Sequence, residues 1–149
     1  MQRRIMKLGI FGGTFNPIHF GHLRVAEDVR ETAGLDRIIF IPSGTPPLKT
    51  NDIAPARQRL AMTQLAIKGN PFFGTLDIEC RSRQKSYTVR TMERLQKLYP
   101  DDRLFFMLGI DAFLDIPNWH RPDMLVEQTD FMVLSRPGSR FIDLSSSPY

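Results

Sequence analysis

Two rhythms of apolar residues alternate along this chain. Short continuous runs read as strands buried on both faces, and stretches with apolar positions three or four apart read as helices with one buried side. Residues 5–11 form the first run, a strand that stops at Gly12-Gly13. From 19 to 33 the rhythm is helical, with Leu23, Ala26 and Val29 on one face and Gly34 as the stop. Residues 37–41 (Arg-Ile-Ile-Phe-Ile) predict a second buried strand closed by Pro42, and residues 43–49 are too rich in Gly and Pro for regular structure. Pro55, at a first-turn position, opens a helix over 55–68 that Gly69 ends. Leu76, Ile78 and Cys80 alternate with more polar neighbours, which predicts a strand over 75–80 with one exposed face. Ser86 is a fitting N-cap for a helix in which Val89, Met92, Leu95 and Leu98 recur every three residues. Residues 103–108 predict another buried strand, ending at Gly109-Ile110-Asp111. A short helical stretch with Phe113 and Leu114 is broken by Pro117 before Trp119, and 131–134 predicts a fifth strand that Arg136-Pro137-Gly138 ends.

Strands alternating with helices imply an α/β fold, a doubly wound parallel sheet covered on both faces, in one domain over residues 1–149. Such sheets bind ligands beyond the carboxyl ends of their strands, where the winding reverses. The loops 12–22 and 43–49 and the Gly109-Ile110-Asp111 segment all follow strand ends, so all three lie on that rim.

The first of these loops carries the chemistry. Gly12 and Gly13 leave no side chain in a ligand's way, and Pro17 rules out a helix through Asn16. His19 and His22 then share one face of a first helical turn, whose N–H groups and dipole favour an anion such as phosphate. A lone histidine at a helix start is usually a cap or a surface residue. Here two of the chain's three histidines fall within four residues, directly behind a strand and two glycines. Zinc is the alternative, but it would need Cys80 and His120 as well, and there is no Cys-x-x-Cys. Neither a Walker A loop nor G-x-G-x-x-G is present.

Charge and composition narrow the function only slightly. With 20 Lys+Arg against 16 Asp+Glu, the net charge of +4 suits an anionic substrate, and no basic run points to nucleic acid. A single cysteine, Cys80, excludes an internal disulfide and fits a reducing compartment, so the cytoplasm is expected. Met1-Gln-Arg-Arg is followed by an apolar run too short and too broken for a signal peptide, and nothing approaches a membrane span.

Four blocks carry a family resemblance. They are residues 12–23 with His19-Phe20-Gly21-His22, Pro46-Pro47-Leu48-Lys49, Ser86-Tyr87-Thr88, and Gly109-Ile110-Asp111-Ala112-Phe113 with Trp119 eight residues after Asp111. The first resembles the nucleotidyltransferase superfamily marked by H-x-G-H. The order of all four resembles bacterial nicotinate mononucleotide adenylyltransferases, over residues 5–138. The resemblance implies a Rossmann-like, nucleotidyltransferase-type sheet. It also implies transfer of AMP from ATP to nicotinate mononucleotide in NAD biosynthesis, with Mg2+ arriving with ATP rather than at a dedicated protein site. His19 and His22 would be catalytic. Gly12, Gly13, Thr14, Phe15, Lys49, Gly109 and Asp111 would bind nucleotide and phosphate, and Ser43, Thr88, Trp119 and His120 the nicotinate. Each role has a plain alternative: Asp111 as a helix cap, Lys49 as solvated surface, Trp119 as core.

No nucleic-acid or membrane partner is expected, and a homo-oligomer is compatible with this reading. Family members continue with a further strand and helices, including a Ser-Ser/Thr-x-x-Ile-Arg segment that Ser145-Ser146 does not reproduce, so a C-terminally incomplete member is expected. The rival readings are a nucleotide-binding fragment with little turnover and another H-x-G-H enzyme such as pantetheine-phosphate adenylyltransferase. Ser86-Tyr87-Thr88 and Trp119 argue against the second.

Overall fold

The computed structural model describes residues 4–44, 52–82 and 87–134. Its elements run β1 (Lys7–Gly13), α1 (Phe20–Ala33), β2 (Arg37–Pro42), α2 (Ala56–Ile67), β3 (Phe73–Thr75) and α3 (Thr88–Leu98). They continue with β4 (Arg103–Gly109), α4 (Ile110–Leu114), a 3-10 turn (Ile116–Asn118), α5 (Pro122–Gln128) and β5 (Asp130–Leu134). Lys49, Ser86, the Arg136-Pro137-Gly138 strand stop and Ser145-Ser146 lie outside the described residues, and the N-cap of α3 is Tyr87, without a side-chain cap bond, in place of the expected Ser86.

All strand pairs are parallel, in the order β3-β2-β1-β4-β5. The alternation of side chains along each strand divides the core into two layers. Leu8, Ile10, Ile39, Ile41, Phe106 and Val133 meet Val89, Met92, Leu95, Phe113 and Leu125 from α3, α4 and α5. Ile38, Phe40, Met107 and Met132 meet Ala26, Val29 and Ile67 from α1 and α2 on the other face. The sheet is therefore doubly wound, as the pattern predicts.

Other local expectations change as well. Gly12 and Gly13 do not end β1 but pair with Ile41 and Pro42, because the ladder with β2 continues past the apolar run. Pro55 lies one residue outside α2, at its cap, where its carbonyl accepts N–H bonds from Gln58 and Arg59. Leu98 is 55% exposed; nine residues at about 100° each carry it to the opposite side of α3 from Val89. The strand expected over 75–80 is instead the three-residue β3 followed by turns.

The cause of that last change lies in the partner strand. The ladder advances by two residues per bond, with Ile38 N–H donating to Phe72 O and Leu76 N–H donating to Phe40 O. The next donor would be residue 42, a proline without an N–H. Ile78 reaches the core from a turn, so the alternation reported burial and not extension. α5 was not foreseen, since Leu125 is its one fully buried residue.

Candidate active site

The winding reverses at β1, with β2 on one side and β4 on the other. The carboxyl ends of β1 and β4 therefore open into the crevice where such sheets take their ligands. β1 delivers Gly12, Gly13 and the half-buried Thr14 there, and β4 delivers Gly109, the N-cap of α4.

His19 is the N-cap of α1, with extended backbone (φ −144°, ψ 176°). Its Nδ1 accepts the Gly21 N–H at 3.0 Å, while Nδ1 of His22 accepts the His19 N–H at 3.1 Å. This is a capping box made of two imidazoles, whose rings stack 3.9 Å apart at 29°. A ring nitrogen that accepts an N–H carries no proton, so each neutral imidazole keeps its hydrogen on Nε2. The cap thus sets both tautomers and leaves two Nε2–H donors side by side at the positive end of α1. The helix end is less open than its sequence suggests. The Gly21 N–H is taken by His19 Nδ1, and the His22 N–H by the His19 carbonyl at 3.0 Å.

Gly21 makes the arrangement possible. A Cβ there would lie 2.8 Å from His19 Cε1 and 2.9 Å from its Nδ1, so the glycine of His-x-Gly-His is the floor under the first ring. Gly21→Ala gains helix propensity of up to about 1 kcal/mol and loses about as much in capping, leaving the melting temperature nearly unchanged. With the His19 ring displaced, binding of inorganic pyrophosphate is expected to weaken roughly tenfold, the loss of one hydrogen bond to a charged group. Calorimetric titration checks this.

His22 is half-buried, edge-on to Phe15 (5.1 Å, 87°) and Phe11 (6.2 Å, 72°). Burial first, and then the neighbouring His19, hold its pKa below the ordinary 6.5. The unfolded chain therefore takes up this proton at higher pH than the folded one. The stability contributed by a neutral His22 is full above pH 6.5 and is lost as pH falls from there toward the native value. Denaturant unfolding between about pH 7.5 and about pH 5 should show a larger loss for the parent than for His22→Asn, which does not titrate.

Phe15 has φ +48°, a conformation unfavourable for a bulky residue, and its ring is 3% exposed between Phe11 and Phe40. The turn it ends is tied to the loop after β2. Ser43 N–H donates to Gly13 O at 2.8 Å, and Arg59 of α2 donates to Thr14 O, Gly44 O and Ala54 O at 2.7–2.8 Å. Asn16 accepts from Ala54 N–H at 3.0 Å and donates to Asp52 O at 2.9 Å. Sequence reasoning passed over Arg59 and Asn16. The signal for Arg59 was its place on the buried row Arg59, Thr63, Ile67.

The remaining predicted residues gather at the starts of α3 and α4 and behind the 3-10 turn. Asp111 is exposed within the first turn of α4, whose cap is Gly109 without a side-chain cap bond. Thr88 opens α3 beside Tyr87, whose ring stacks on exposed His120 at 4.1 Å and 25°. Trp119 is half-buried against the core, its indole N–H on Asp115 Oδ2 (3.3 Å) and its backbone N–H on Ile116 O (2.8 Å). It is thus partly the core residue of its plain alternative. Cys80, named as a zinc candidate, donates its thiol to Pro42 O at 3.4 Å. Among the described residues no three His, Cys, Asp or Glu are placed to hold a metal ion.

Comparison with known proteins adds the family. Residues 10–149 match the model of the family described as cytidylyltransferase-like. The chain is 49% identical over 136 residues to a Syntrophotalea carbinolica protein named "Probable nicotinate-nucleotide adenylyltransferase", covering 90% of this chain and 62% of that protein. A Salinibacter ruber protein of the same name is 45% identical over 135 residues, 90% of this chain and 69% of its own. The chain thus spans less than two thirds of the Syntrophotalea relative. Among solved structures it is similar to the Plasmodium falciparum nicotinic acid mononucleotide adenylyltransferase complexed with NaAD, with TM-score 0.79 and 20% identity. That likeness covers 95% of this chain and 70% of the other, and it bears on the fold.

Proposed function

The chain belongs to the cytidylyltransferase-like family, on the branch of proteins named nicotinate-nucleotide adenylyltransferase, and from that premise we propose that it transfers the adenylyl group of ATP to nicotinate mononucleotide. The observation that carries the reading is the imidazole pair at the head of α1, with both tautomers set by the capping box.

An oxygen of the acceptor's phosphate attacks the α-phosphorus of ATP. The bond from that phosphorus to the β-phosphate oxygen breaks, and pyrophosphate leaves with the electron pair. The nucleophile is already an anion, so no side chain need remove a proton from it. What remains is positioning and charge: the two phosphates must lie in line, and the charge spread over the α-phosphate oxygens must meet fixed donors. The Nε2–H groups of His19 and His22 suit that task, because neutral donors held by a cap need no reorganisation as charge develops. The Gly12–Phe15 turn and Lys49 would hold phosphates, with Mg2+ brought in on ATP as part of the substrate. Gly109 and Asp111 would meet the ribose side, and Ser43, Thr88, Trp119 and His120 the nicotinate. The relatives' names and the NaAD named with the Plasmodium structure support this assignment. The cytoplasm is the proposed location; no helix among the described residues is long and apolar enough to cross a membrane.

The test is a coupled assay of pyrophosphate release with ATP and, in turn, nicotinate mononucleotide, nicotinamide mononucleotide and phosphopantetheine. Release is expected chiefly with the first. Release chiefly with phosphopantetheine would make the chain a pantetheine-type enzyme. ATP binding without release for any acceptor would make it a nucleotide-binding fragment.

A further inference from the structure

Arg59 is 1% exposed, yet among the described residues its guanidinium meets no carboxylate. Nε donates to Ala54 O (2.7 Å), Nη1 to Thr14 O (2.7 Å) and more weakly to Ser43 Oγ (3.4 Å), and Nη2 to Gly44 O (2.8 Å). A guanidinium stripped of water without a counter-ion is costly to bury, and among the described residues the oxygens of two loops offset that cost. Those loops are the ones that follow β1 and β2 on the ligand rim.

The bond to Thr14 O has a geometric consequence. The Thr14–Phe15 peptide is trans, so its carbonyl and its N–H point in opposite directions. Gripping the carbonyl turns the Phe15 N–H away from Arg59, while Phe15 itself sits at φ +48°, a conformation that must be held. The same fork reaches Gly44 and the hydroxyl of Ser43, whose N–H already lies on Gly13 O. Asn16 secures Ala54 from the other side, through that residue's N–H.

We propose that Arg59 is a positioning residue whose buried fork sets the Thr14–Phe15 peptide, so that the turn after β1 presents its N–H groups to a phosphate. The proposal rests on the reading of this turn as a phosphate site. The planar guanidinium is required because it bonds three carbonyls in fixed directions at once, which a single ammonium does not.

The test compares the parent with Arg59→Lys, and with Arg59→Met, at temperatures well below melting. Amide exchange of Thr14 and Phe15, with and without saturating inorganic pyrophosphate, is followed against the central amides of β1 and β4, and pyrophosphate binding is measured by calorimetry. The expected result is sheet protection retained, pyrophosphate slowing exchange of the Thr14 and Phe15 amides at least about tenfold in the parent but not in Arg59→Lys, and pyrophosphate binding weakened by about tenfold in Arg59→Lys. Arg59→Met should bind within about threefold of Arg59→Lys, since both lose the fork and the charge that only Lys keeps adds little. A folded Arg59→Lys that binds pyrophosphate like the parent overturns the proposal, as does equal protection of the two amides by pyrophosphate in the parent and the variant. If neither variant folds, Arg59 is a structural residue and the proposal is likewise overturned. A parent chain that binds no pyrophosphate removes the phosphate reading of the turn itself, a failure distinct from that of Arg59.

Discussion

His22→Ala is expected to lower adenylyl transfer by about 100-fold or more, the loss that follows when one preorganised donor is taken from a developing oxyanion. The donor at stake is Nε2–H, since Nδ1 is already committed to the His19 N–H at 3.1 Å. The substitution also opens half of the capping box, which costs roughly 1 kcal/mol of helix stability. His22→Asn separates the two effects. Its side-chain oxygen lies near the place of Nδ1 and can still accept the His19 N–H, but nothing replaces Nε2–H. Turnover as low in His22→Asn as in His22→Ala, with stability recovered, identifies the lost donor as the cause. Initial rates of pyrophosphate release at saturating ATP measure it, and ATP affinity should change little, because this donor serves the transition state more than the ground state. If the alanine variant turned over within threefold of its parent, the imidazole would have no catalytic part.

The second large effect concerns the acceptor. Nicotinate mononucleotide should be preferred over its amide by about 10- to 100-fold in kcat/KM, corresponding to one mismatched hydrogen bond of about 1–3 kcal/mol. A carboxylate accepts at both oxygens, whereas a carboxamide turns an NH2 toward donors that need an acceptor. The stack of Tyr87 on His120 brings the start of α3, with Thr88, against the segment that carries Trp119. The Trp119 N–H is spent on Ile116 O, which leaves the Thr88 hydroxyl and the backbone beyond Trp119 as the donors proposed for the carboxylate. Thr88→Val, which keeps the shape and removes the hydroxyl, should bring the two acceptors closer together. Equal kcat/KM for both acceptors in the parent chain would leave no carboxylate site in this region.

Much of the architecture was legible because its signals are local. Runs such as Arg-Ile-Ile-Phe-Ile and Arg-Leu-Phe-Phe-Met-Leu can be buried on both faces only in the interior of a sheet, and β2 and β4 form there. Gly34 takes φ +67° at the end of α1, the conformation that its place after the last helical residue anticipates. The failure at 75–80 is equally instructive. Leu76 and Ile78 alternate and pack on the core, but extension depends on a partner donor, and Pro42 across the ladder has none. No pattern within residues 75–80 contains that information.

The site divides in the same way. The sequence by itself determined that a loop follows the first strand, the three-residue spacing that puts His19 and His22 on one face, and the loops that share a rim, since these follow from chain geometry over a few residues. Only the tertiary structure decided where the winding reverses, which nitrogen of each imidazole bears hydrogen, and that Arg59 is an interior clamp and not a solvated helix charge. The imidazole tautomers depend on an extended backbone at His19 and on the close approach of its ring to Gly21. The burial of Arg59 depends on Thr14, 45 positions away along the chain, and on Gly44, 15 away. Contacts at such separations form when the sheet assembles, and the periodicity of any one segment carries no record of them.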